Sequence, residues 1–407
     1  MVSHSGELDK MSSLHKKTKE NDMLTELRAK TAEAQRAAGY ADTLREILQQ
    51  PATWRDTFRL TQSATAQLLL GKALDPRPAH IVLTGSGSSI YIGECLAPLL
   101  QAELGVPVQA IAAGTLLTHW RSVLPPGPGL LISVARSGDS PESAAVVNTL
   151  LAGAPAWRHL VITCNAQGKL ATQYRDEPRL SALVLDERTN DRSLVMTSSF
   201  TNLLLGGLGL LGGALAPGAV EKAAANAQNI IDVHADAIAA LAQRNMHSAV
   251  YLGSGAAFGA AREGALKMLE MTGGKVVTLA ETFLGLRHGP MSFVHPHTLV
   301  VAMLSADPAV RSYECDVLRE LSRKQLGMAK LVVGDDIPED VLCAGDVAIT
   351  TSASASNPDV PPLLAGVMAV QWLGFFRCLE LGGKPDTPAE GVLTRVVEDF
   401  ALHGAIP

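Results

Sequence analysis

The residues best suited to carry out chemistry in this chain lie in one short segment of acidic and basic side chains. Glu263, Lys267 and Glu270 are spaced at i, i+4 and i+7, so on a helix they share one face. His288 follows within an Arg-His-Gly-Pro sequence at 287–290. Carboxylates and imidazoles are common proton carriers in enzymes, so the segment predicts general acid-base catalysis. The alternative is a solvated helix face with one salt bridge, worth roughly 0.2 to 0.5 kcal/mol.

Two copies of a strand that ends in Gly-Ser-Gly frame this segment. The first copy covers residues 79–87 and the second covers residues 248–255. Each copy is followed by an Ala-rich helical stretch and then by further short apolar runs. Short buried strands that alternate with helices are typical of parallel βαβ units with both sheet faces covered. The sequence therefore predicts an α/β protein of two tandem domains, each a mostly parallel sheet flanked by helices in a flavodoxin-like three-layer sandwich.

A helical N-terminal extension precedes these domains. Residues 24–50 are expected to form one helix that ends before Pro51, because the residue before a proline disfavours helix. The Ala-Pro-Gly sequence at 216–218 marks the boundary between the domains. We expect a disordered arm over 1–20, the extension over 21–60, a first domain with phosphate-binding loops over 61–219, a linking helix over 220–245, a second domain with the catalytic helix over 246–390, and a C-terminal tail over 391–407 that closes over the site.

Composition excludes several classes of function. The 407 residues carry a net charge of −6 and only 4% aromatic side chains, which argues against a nucleic-acid partner. The most apolar stretch, Leu203–Ala216, is shorter than the roughly 20 residues that span a bilayer, so we interpret it as a buried helix. No apolar leader stands at the start, and the five scattered cysteines indicate reduced thiols. We expect a cytoplasmic protein without a membrane partner.

The glycine-rich turns predict a phosphate site rather than a dinucleotide site. The third glycine of a dinucleotide fingerprint is replaced by Ile90 in one copy and by Phe258 in the other. The first loop instead places serine hydroxyls beside the start of a helix, which suits a terminal phosphate. A second polar loop, with Ser140 as the expected helix cap before Pro141, follows the next strand. The serines expected to face this crevice are Ser86, Ser88, Ser89, Ser137 and Ser140.

Other polar residues have two interpretations. Lys267 is expected to pair with Glu263 or Glu270 and to tune them, or to touch the substrate. Glu281 either contacts the substrate or stabilises its loop. The His-Pro-His sequence at 295–297 has no cysteine or carboxylate beside it and is interpreted as a loop. We therefore predict no metal site and no cofactor.

The serine loops, the helix at 263–270 and the Arg-His-Gly-Pro sequence resemble the tandem sugar isomerase (SIS) domains of glucosamine-6-phosphate synthase. The resemblance covers roughly residues 60–400. Within that superfamily, the segments at 44–54 and 281–290 are similar to the galactosamine-6-phosphate deaminase branch, also named tagatose-6-phosphate ketose/aldose isomerase. The resemblance implies a phosphorylated sugar as the small-molecule partner.

The resemblance also implies roles for individual residues. Ser89 and Ser137 would bind the substrate phosphate, with Ser140 in a position usually held by threonine. Glu270 would move a proton between C1 and C2 of the sugar. His288 would open the sugar ring from a neighbouring subunit, which implies a homodimer or a higher homo-oligomer.

Three positions depart from the synthase. Ala135 replaces a serine, and Arg136 replaces a glutamine, so Arg136 is expected to supply a charged phosphate contact. Arg395 stands about where the synthase keeps its Schiff-base lysine. Because arginine stays protonated, it cannot form that imine, and we assign Arg395 to substrate binding.

These features predict an enzyme that releases ammonia. The first cysteine, Cys95, lies inside the first α/β domain, so the cysteine nucleophile of a glutaminase is not expected. The predicted reaction converts galactosamine 6-phosphate to tagatose 6-phosphate and ammonia by C2-to-C1 proton transfer. The first alternative is a ketose/aldose isomerase without deamination. The second is a non-catalytic sugar-phosphate sensor, which the presence of both acid and base disfavours. The C4 configuration of the sugar stays open.

Overall fold

The structure is a computed structural model that describes residues 23–396 together with residues 401 and 403. The disordered arm expected over 1–20 and the last part of the expected C-terminal tail lie outside the described residues. The described chain is helical at its start and then forms two parallel sheets in succession, each flanked by helices.

In the part of the chain that the structure describes, five helices precede the first strand. They are α1 (Met23–Ala29), α2 (Ala32–Ala37), α3 (Ala41–Leu48), α4 (Gln50–Thr61) and α5 (Ala64–Leu74). The prediction of one helix over 24–50 is wrong. Thr31 caps the start of α2 through a side-chain bond with the Ala34 amide, and Gly39 takes a positive φ of 72° that interrupts the chain before α3. Pro51 stands in the first turn of α4, where its missing N–H costs nothing.

The first sheet has five parallel strands in the order β2-β1-β3-β4-β5. The strands are β1 (His80–Thr84), β2 (Val108–Ala110), β3 (Gly129–Ala135), β4 (Trp157–Thr163) and β5 (Leu180–Val184). The helices that cover it and follow it are α6 (Ser88–Leu104), α7 (Ala113–Val123), α8 (Pro141–Gly153), α9 (Lys169–Thr172) and α10 (Ser198–Leu208). The apolar stretch from 203 is part of α10 and of a following 3-10 segment, Gly209–Ala214, and it is buried through residue 211.

A helical segment connects the two sheets. It consists of α11 (Pro217–Asn229), one π-helical turn (Ile230–His234) and α12 (Ala235–Gln243). The second sheet has five parallel strands, β6 (Ser248–Leu252), β7 (Val277–Glu281), β8 (Thr298–Met303), β9 (Ala329–Gly334) and β10 (Val347–Thr350). Its helices are α13 (Ala256–Thr272), α14 (Phe283–Leu286), α15 (Pro308–Arg323) and α16 (Val360–Glu380).

Both sheets have the same topology. Read from the second strand of each domain, the order is 2-1-3-4-5 in both, which is the flavodoxin-like order. The predicted α/β fold of two tandem domains is confirmed, and every strand pairing among the described residues is parallel. In such sheets, ligands bind beyond the carboxyl ends of the strands where the strand order reverses, here between β1 and β3 and between β6 and β8.

A long apolar helix, α16, lies at the centre of the molecule. By length and composition it could cross a membrane, but 94% of its most apolar 18-residue window is buried inside the protein. Trp372, Phe375 and Phe376 form a cluster of ring contacts on it, with ring centroids 5.3 to 5.6 Å apart. The helix α16 is therefore a core element, packed against α11, α12 and α13.

The two domains meet where α6 packs on α13. Gly259 permits this contact, because a Cβ there would lie 2.7 Å from the backbone nitrogen and from the sulfur of Cys95. The close approach brings the start of α6, which follows the first Gly-Ser-Gly loop, beside the acidic face of α13. The fold thus places the predicted phosphate loop and the predicted catalytic helix next to each other.

Candidate active site

A cavity of about 220 Å³ opens at the carboxyl ends of β1 and β3. It is lined by eight of the residues that the sequence singled out. These are Ser86, Ser88, Ser89, Arg136, Ser137, Ser140, Glu270 and Arg395. The structure therefore brings the two serine loops, the carboxylate of α13 and part of the C-terminal segment to one place.

Two helices begin at this cavity. Ser88 is the first residue of α6, after Gly87, whose φ of 56° is a conformation that favours glycine. Ser140 occupies the N-cap position of α8, as predicted, but its side chain forms no capping hydrogen bond. Its hydroxyl is thus available at the cavity wall. The free amides and the dipoles of two helix starts, together with serine hydroxyls, form an environment that favours an anion.

A row of charged side chains, most of them buried, lies next to the cavity. Lys267 is fully buried, and its Nζ lies 3.5 Å from Glu263 Oε1 and within short hydrogen-bond distance of Glu270 Oε2. Ser88 donates to the same oxygen of Glu263 at 3.2 Å. Of the three charged side chains, only Glu270 lines the cavity. Lys267 therefore pairs with both carboxylates and lies beneath the cavity wall.

Burial strongly affects which of these charged side chains hold a proton. It raises the pKa of Glu263 to about 8; the Lys267 charge opposes the rise, and the Glu270 charge adds to it. For Lys267, burial alone would lower the pKa, but the two neighbouring carboxylates outweigh it and the net pKa is raised. At neutral pH, Lys267 is charged while Glu263 is largely protonated. The positive charge of Lys267 is then directed at Glu270.

Two arginines occupy the opposite side of the cavity. Arg136 donates to the Leu194 carbonyl at 2.9 Å, and Arg395 donates to the Asp191 and Arg192 carbonyls at 2.9 and 2.8 Å. Burial, and secondarily the charge of Arg395, lowers the pKa of Arg136. Two guanidinium groups close enough to repel each other provide a strong electrostatic attraction for a phosphate dianion.

Two predicted residues lie away from the cavity. Glu281 ends β7 and accepts hydrogen bonds from the amide and hydroxyl of Thr282, at 2.7 and 3.2 Å, so it stabilises the start of α14. His288 is exposed in the turn after α14 and does not line the cavity of its own chain. Among the described residues that line the cavity there is no histidine.

The second domain has a matching crevice with different chemistry. Its loop repeats the first, with Gly255 at a φ of 55°, but the walls carry the carboxylates of Asp307 and Asp359. Asp307 caps α15 by accepting from the Ala309 amide at 2.8 Å. Carboxylates in these positions repel a phosphate, and no arginine or lysine is among the described residues that line this crevice, so it suits an anion less well than the cavity of the first domain.

The described residues do not form a cluster of metal ligands. Across 23–396, 401 and 403, no group of three or more His, Cys, Asp or Glu side chains is arranged to hold one. In the His-Pro-His sequence, His297 lies against the ring of His247, with centroids 4.6 Å apart, and its Nδ1 is 3.2 Å from the Asn245 carbonyl.

Sequence reasoning missed two acidic residues behind the arginines. Glu46 and Asp191 are each 1% exposed, and both accept hydrogen bonds from the backbone between residues 191 and 199. A signal was present for Glu46, because on a helix this charged residue falls on the same buried face as Leu44 and Ile47. For Asp191, the sequence around it gave no such signal.

A serine-lined anion cavity between two flavodoxin-like domains defines a protein of the tandem SIS class. No protein-family model matches the sequence. The D-galactosamine-6-phosphate deaminase AgaS of Escherichia coli is 35% identical over 378 residues, which cover 89% of this chain and 95% of that protein. The same enzyme of Shewanella sp. (strain ANA-3) is 34% identical over 369 residues, covering 89% and 91%.

A solved structure agrees with these relatives. The crystal structure of tagatose-6-phosphate ketose/aldose isomerase from Escherichia coli matches 85% of this chain and 95% of its own, with a TM-score of 0.78 and 34% identity. At this identity and coverage, the chain belongs to the AgaS family, whose members are named as sugar-phosphate enzymes.

Proposed function

We propose that this protein is a cofactor-independent deaminase that converts galactosamine 6-phosphate to tagatose 6-phosphate and ammonia. The observation that carries the proposal is that the Glu270 carboxylate, held by the buried Lys267, faces the same cavity as the two serine loops. The family relatives named D-galactosamine-6-phosphate deaminase support it. A phosphorylated sugar does not cross membranes unaided, so we place the reaction in the cytoplasm.

The sugar phosphate binds first. Its phosphate is received by Ser89, Ser137 and Ser140, with Arg136 and Arg395 supplying charge. This places the sugar carbons toward Glu270 at the other end of the cavity. Arg395 contributes electrostatics alone, since it forms no imine with the sugar.

The chemistry is a proton transfer followed by hydrolysis. Once the ring is open, Glu270 removes the proton from C2. The C–H electron pair forms the C1–C2 double bond of an enolamine, while the carbonyl pair moves onto O1, which takes a proton from water. Glu270 then returns the proton to C1, and the nitrogen lone pair forms a protonated imine at C2. Water adds to C2 and ammonia leaves, giving the ketose phosphate and making the overall reaction a hydrolysis. The Lys267 charge stabilises the carboxylate that starts the cycle.

Ring opening needs an acid-base group besides Glu270, and no histidine is among the described residues that line the cavity. His288 is exposed on the surface loop after α14. We propose that the protein acts as a homodimer or higher homo-oligomer, in which His288 of a second copy reaches the cavity. Mixing Glu270→Gln and His288→Ala chains tests this arrangement. Restored activity supports a shared site, and no restoration in a confirmed mixed oligomer contradicts it.

The substrate is tested by ammonia release from the purified full chain. Galactosamine 6-phosphate is the expected substrate, and glucosamine 6-phosphate is the C4 control. The solved relative named tagatose-6-phosphate ketose/aldose isomerase makes the plain isomerase the second candidate. Tagatose 6-phosphate is therefore assayed for conversion to an aldose phosphate in the same experiment. Isomerisation without ammonia from either amino sugar would refute the deaminase.

The role of Glu270 is tested by Glu270→Gln. We expect kcat to fall by about 10² to 10⁴, the usual contribution of a positioned acid-base group, with little change in substrate affinity. Glu94→Gln is the matched control, because Glu94 also pairs with a cation, Arg262, but does not line the cavity. Normal turnover by Glu270→Gln would remove this residue from the mechanism.

A further inference from the structure

The two cavity arginines are anchored by one short backbone segment, residues 191–194. Arg136 Nη1 donates to the carbonyls of Ser193 and Leu194 at 3.3 and 2.9 Å. Arg395 Nη2 donates to the carbonyl of Ser193 at 3.3 Å, in addition to its bonds with the two preceding carbonyls. Because both guanidinium groups share this segment, its position sets the spacing of the two charges.

The amide side of the same segment is held by Glu46 of α3. Glu46 Oε1 accepts from the amides of Arg192 and Ser193 at 2.6 and 3.3 Å, and Oε2 accepts a short hydrogen bond from the Ser193 hydroxyl. Peptide groups that donate to a carboxylate on one side and accept from a guanidinium on the other are aligned by both charges.

The far end of the segment is fixed separately. Asp191 Oδ2 accepts from the amides of Thr197 and Ser199 at 2.7 and 2.8 Å, which ties the segment to the start of α10. The Leu194 amide, at the other end, donates to the Asp386 carbonyl at 3.0 Å. Between these two fixed ends, the contact with Glu46 holds residues 192 and 193 against the arginines. Glu46 itself lies outside the cavity.

We propose that Glu46 is a positioning residue for substrate phosphate: through the backbone of residues 192 and 193, its carboxylate sets the placement of Arg136 and Arg395. The proposal rests on the sugar-phosphate function proposed above. It assigns a role to the N-terminal extension, which carries Glu46 on the buried face of α3. The other residues of the site lie in the α/β domains and in the C-terminal segment.

Protonation of Glu46 weakens this support. Its pKa is raised to about 7 by burial and by the charge of Asp191, against the hydrogen bonds from Ser193 and Arg192. The other charged groups around it are Arg45, 3.1 Å away on the same helix, Arg136, and Asp386, which caps the start of α3. Phosphate affinity is therefore expected to fall as the pH falls through about 7.

Sulfate is the probe, because it is a tetrahedral dianion that does not titrate between pH 6 and 8. Its dissociation constant is measured from the concentration dependence of the melting temperature at constant ionic strength. We expect Glu46→Gln to raise this constant about tenfold at pH 8 and to flatten its pH dependence. The KM for galactosamine 6-phosphate rises similarly while kcat changes less than twofold.

Glu314→Gln is the matched control. Glu314 is also 1% exposed and holds a loop amide, that of Ser305, at 2.8 Å, but it lies in the second domain. We expect it to leave sulfate binding unchanged. The proposal would be overturned if Glu46→Gln bound sulfate within twofold of the parent at pH 8. A loss of kcat with unchanged sulfate binding would also overturn it.

A second variant and the independence of sulfate binding from turnover distinguish the possible outcomes. If Glu46→Gln does not fold, Ser193→Ala removes one of the three hydrogen bonds from residues 192 and 193 to Glu46, and a roughly threefold loss of sulfate affinity is expected. Unchanged affinity in that variant would overturn the proposal. Sulfate binding needs no turnover, so failure of every sugar phosphate as a substrate would refute the proposed function while this inference is judged separately.

Discussion

The fully buried Glu263 makes a sharp prediction about stability and pH. One of its oxygens accepts from Ser88 and faces Lys267, and the other, Oε2, has no hydrogen-bond partner among the described residues. Its pKa is raised from 4.5 to about 8. Glutamine has the shape of the protonated acid but does not titrate, so Glu263→Gln isolates the effect of ionising this one group.

The direction and size of the pH effect on the free energy of unfolding follow from the coupling of proton binding to folding. With the folded-state pKa above the unfolded one, the folded protein holds the proton, so the stabilisation is present at low pH and is lost as the pH rises through about 8. Each pH unit in that window changes the free energy of unfolding by up to 1.36 kcal/mol. Between pH 6 and pH 8, the parent should therefore lose about 2 kcal/mol that Glu263→Gln does not lose.

The assay compares the two proteins at both pH values. Relative to the parent, the melting temperature of Glu263→Gln should rise by about 2 to 3 °C between pH 6 and pH 8, for a chain of this size. Glu390→Gln, on an exposed surface position, should show no such change. A difference between parent and Glu263→Gln that stays constant over this range would refute the reasoning. It would mean that Glu263 is ionised throughout and shares Lys267 with Glu270.

Two more outcomes are expected. Ser137→Ala should raise KM and the sulfate dissociation constant about tenfold with a small effect on kcat, because it removes a hydroxyl from the phosphate loop; a change in melting temperature alone would contradict that role. Gly259→Ala should destabilise the protein by about 1 to 3 kcal/mol, since its Cβ would meet the backbone of Cys95. Gly71→Ala, where the added methyl meets open space in a helix, is the control and should stabilise by about 0.5 to 1 kcal/mol in thermal unfolding.

Much of the fold could be predicted because it depends on local patterns. The strand that ends in Gly-Ser-Gly occurs twice, and apolar strands alternating with helices specify parallel sheets whatever the details of packing. The prediction over 24–50 was wrong because apolar content was weighed above two local signals, the Thr31 cap and Gly39. The central helix α16 was missed as an element, since a helix that is apolar all round has no amphipathic pattern to identify it.

The site was predictable where chain proximity or strand topology decides the geometry. The serine loops follow neighbouring strands, and Lys267 lies within one turn of both Glu263 and Glu270. The role of Glu281 could not be assigned from the sequence, because whether its carboxylate contacts the substrate or the Thr282 amide depends on how β7 ends. The contact of Glu46 with residue 192 spans 146 positions of sequence, and no local pattern reports it.

The two crevices of the duplicated fold carry different charged side chains. The two crevices share topology and loop shape, and serines line both, but Arg136 and Arg395 line the first, whereas Asp307 and Asp359 line the second. The second domain contributes instead through α13, whose Glu270 reaches the crevice of the first domain because α6 and α13 pack closely at Gly259. In the proposed function, anion binding and proton transfer are thus divided between the domains. We therefore expect any change that separates α6 from α13 to weaken catalysis even if both domains stay folded.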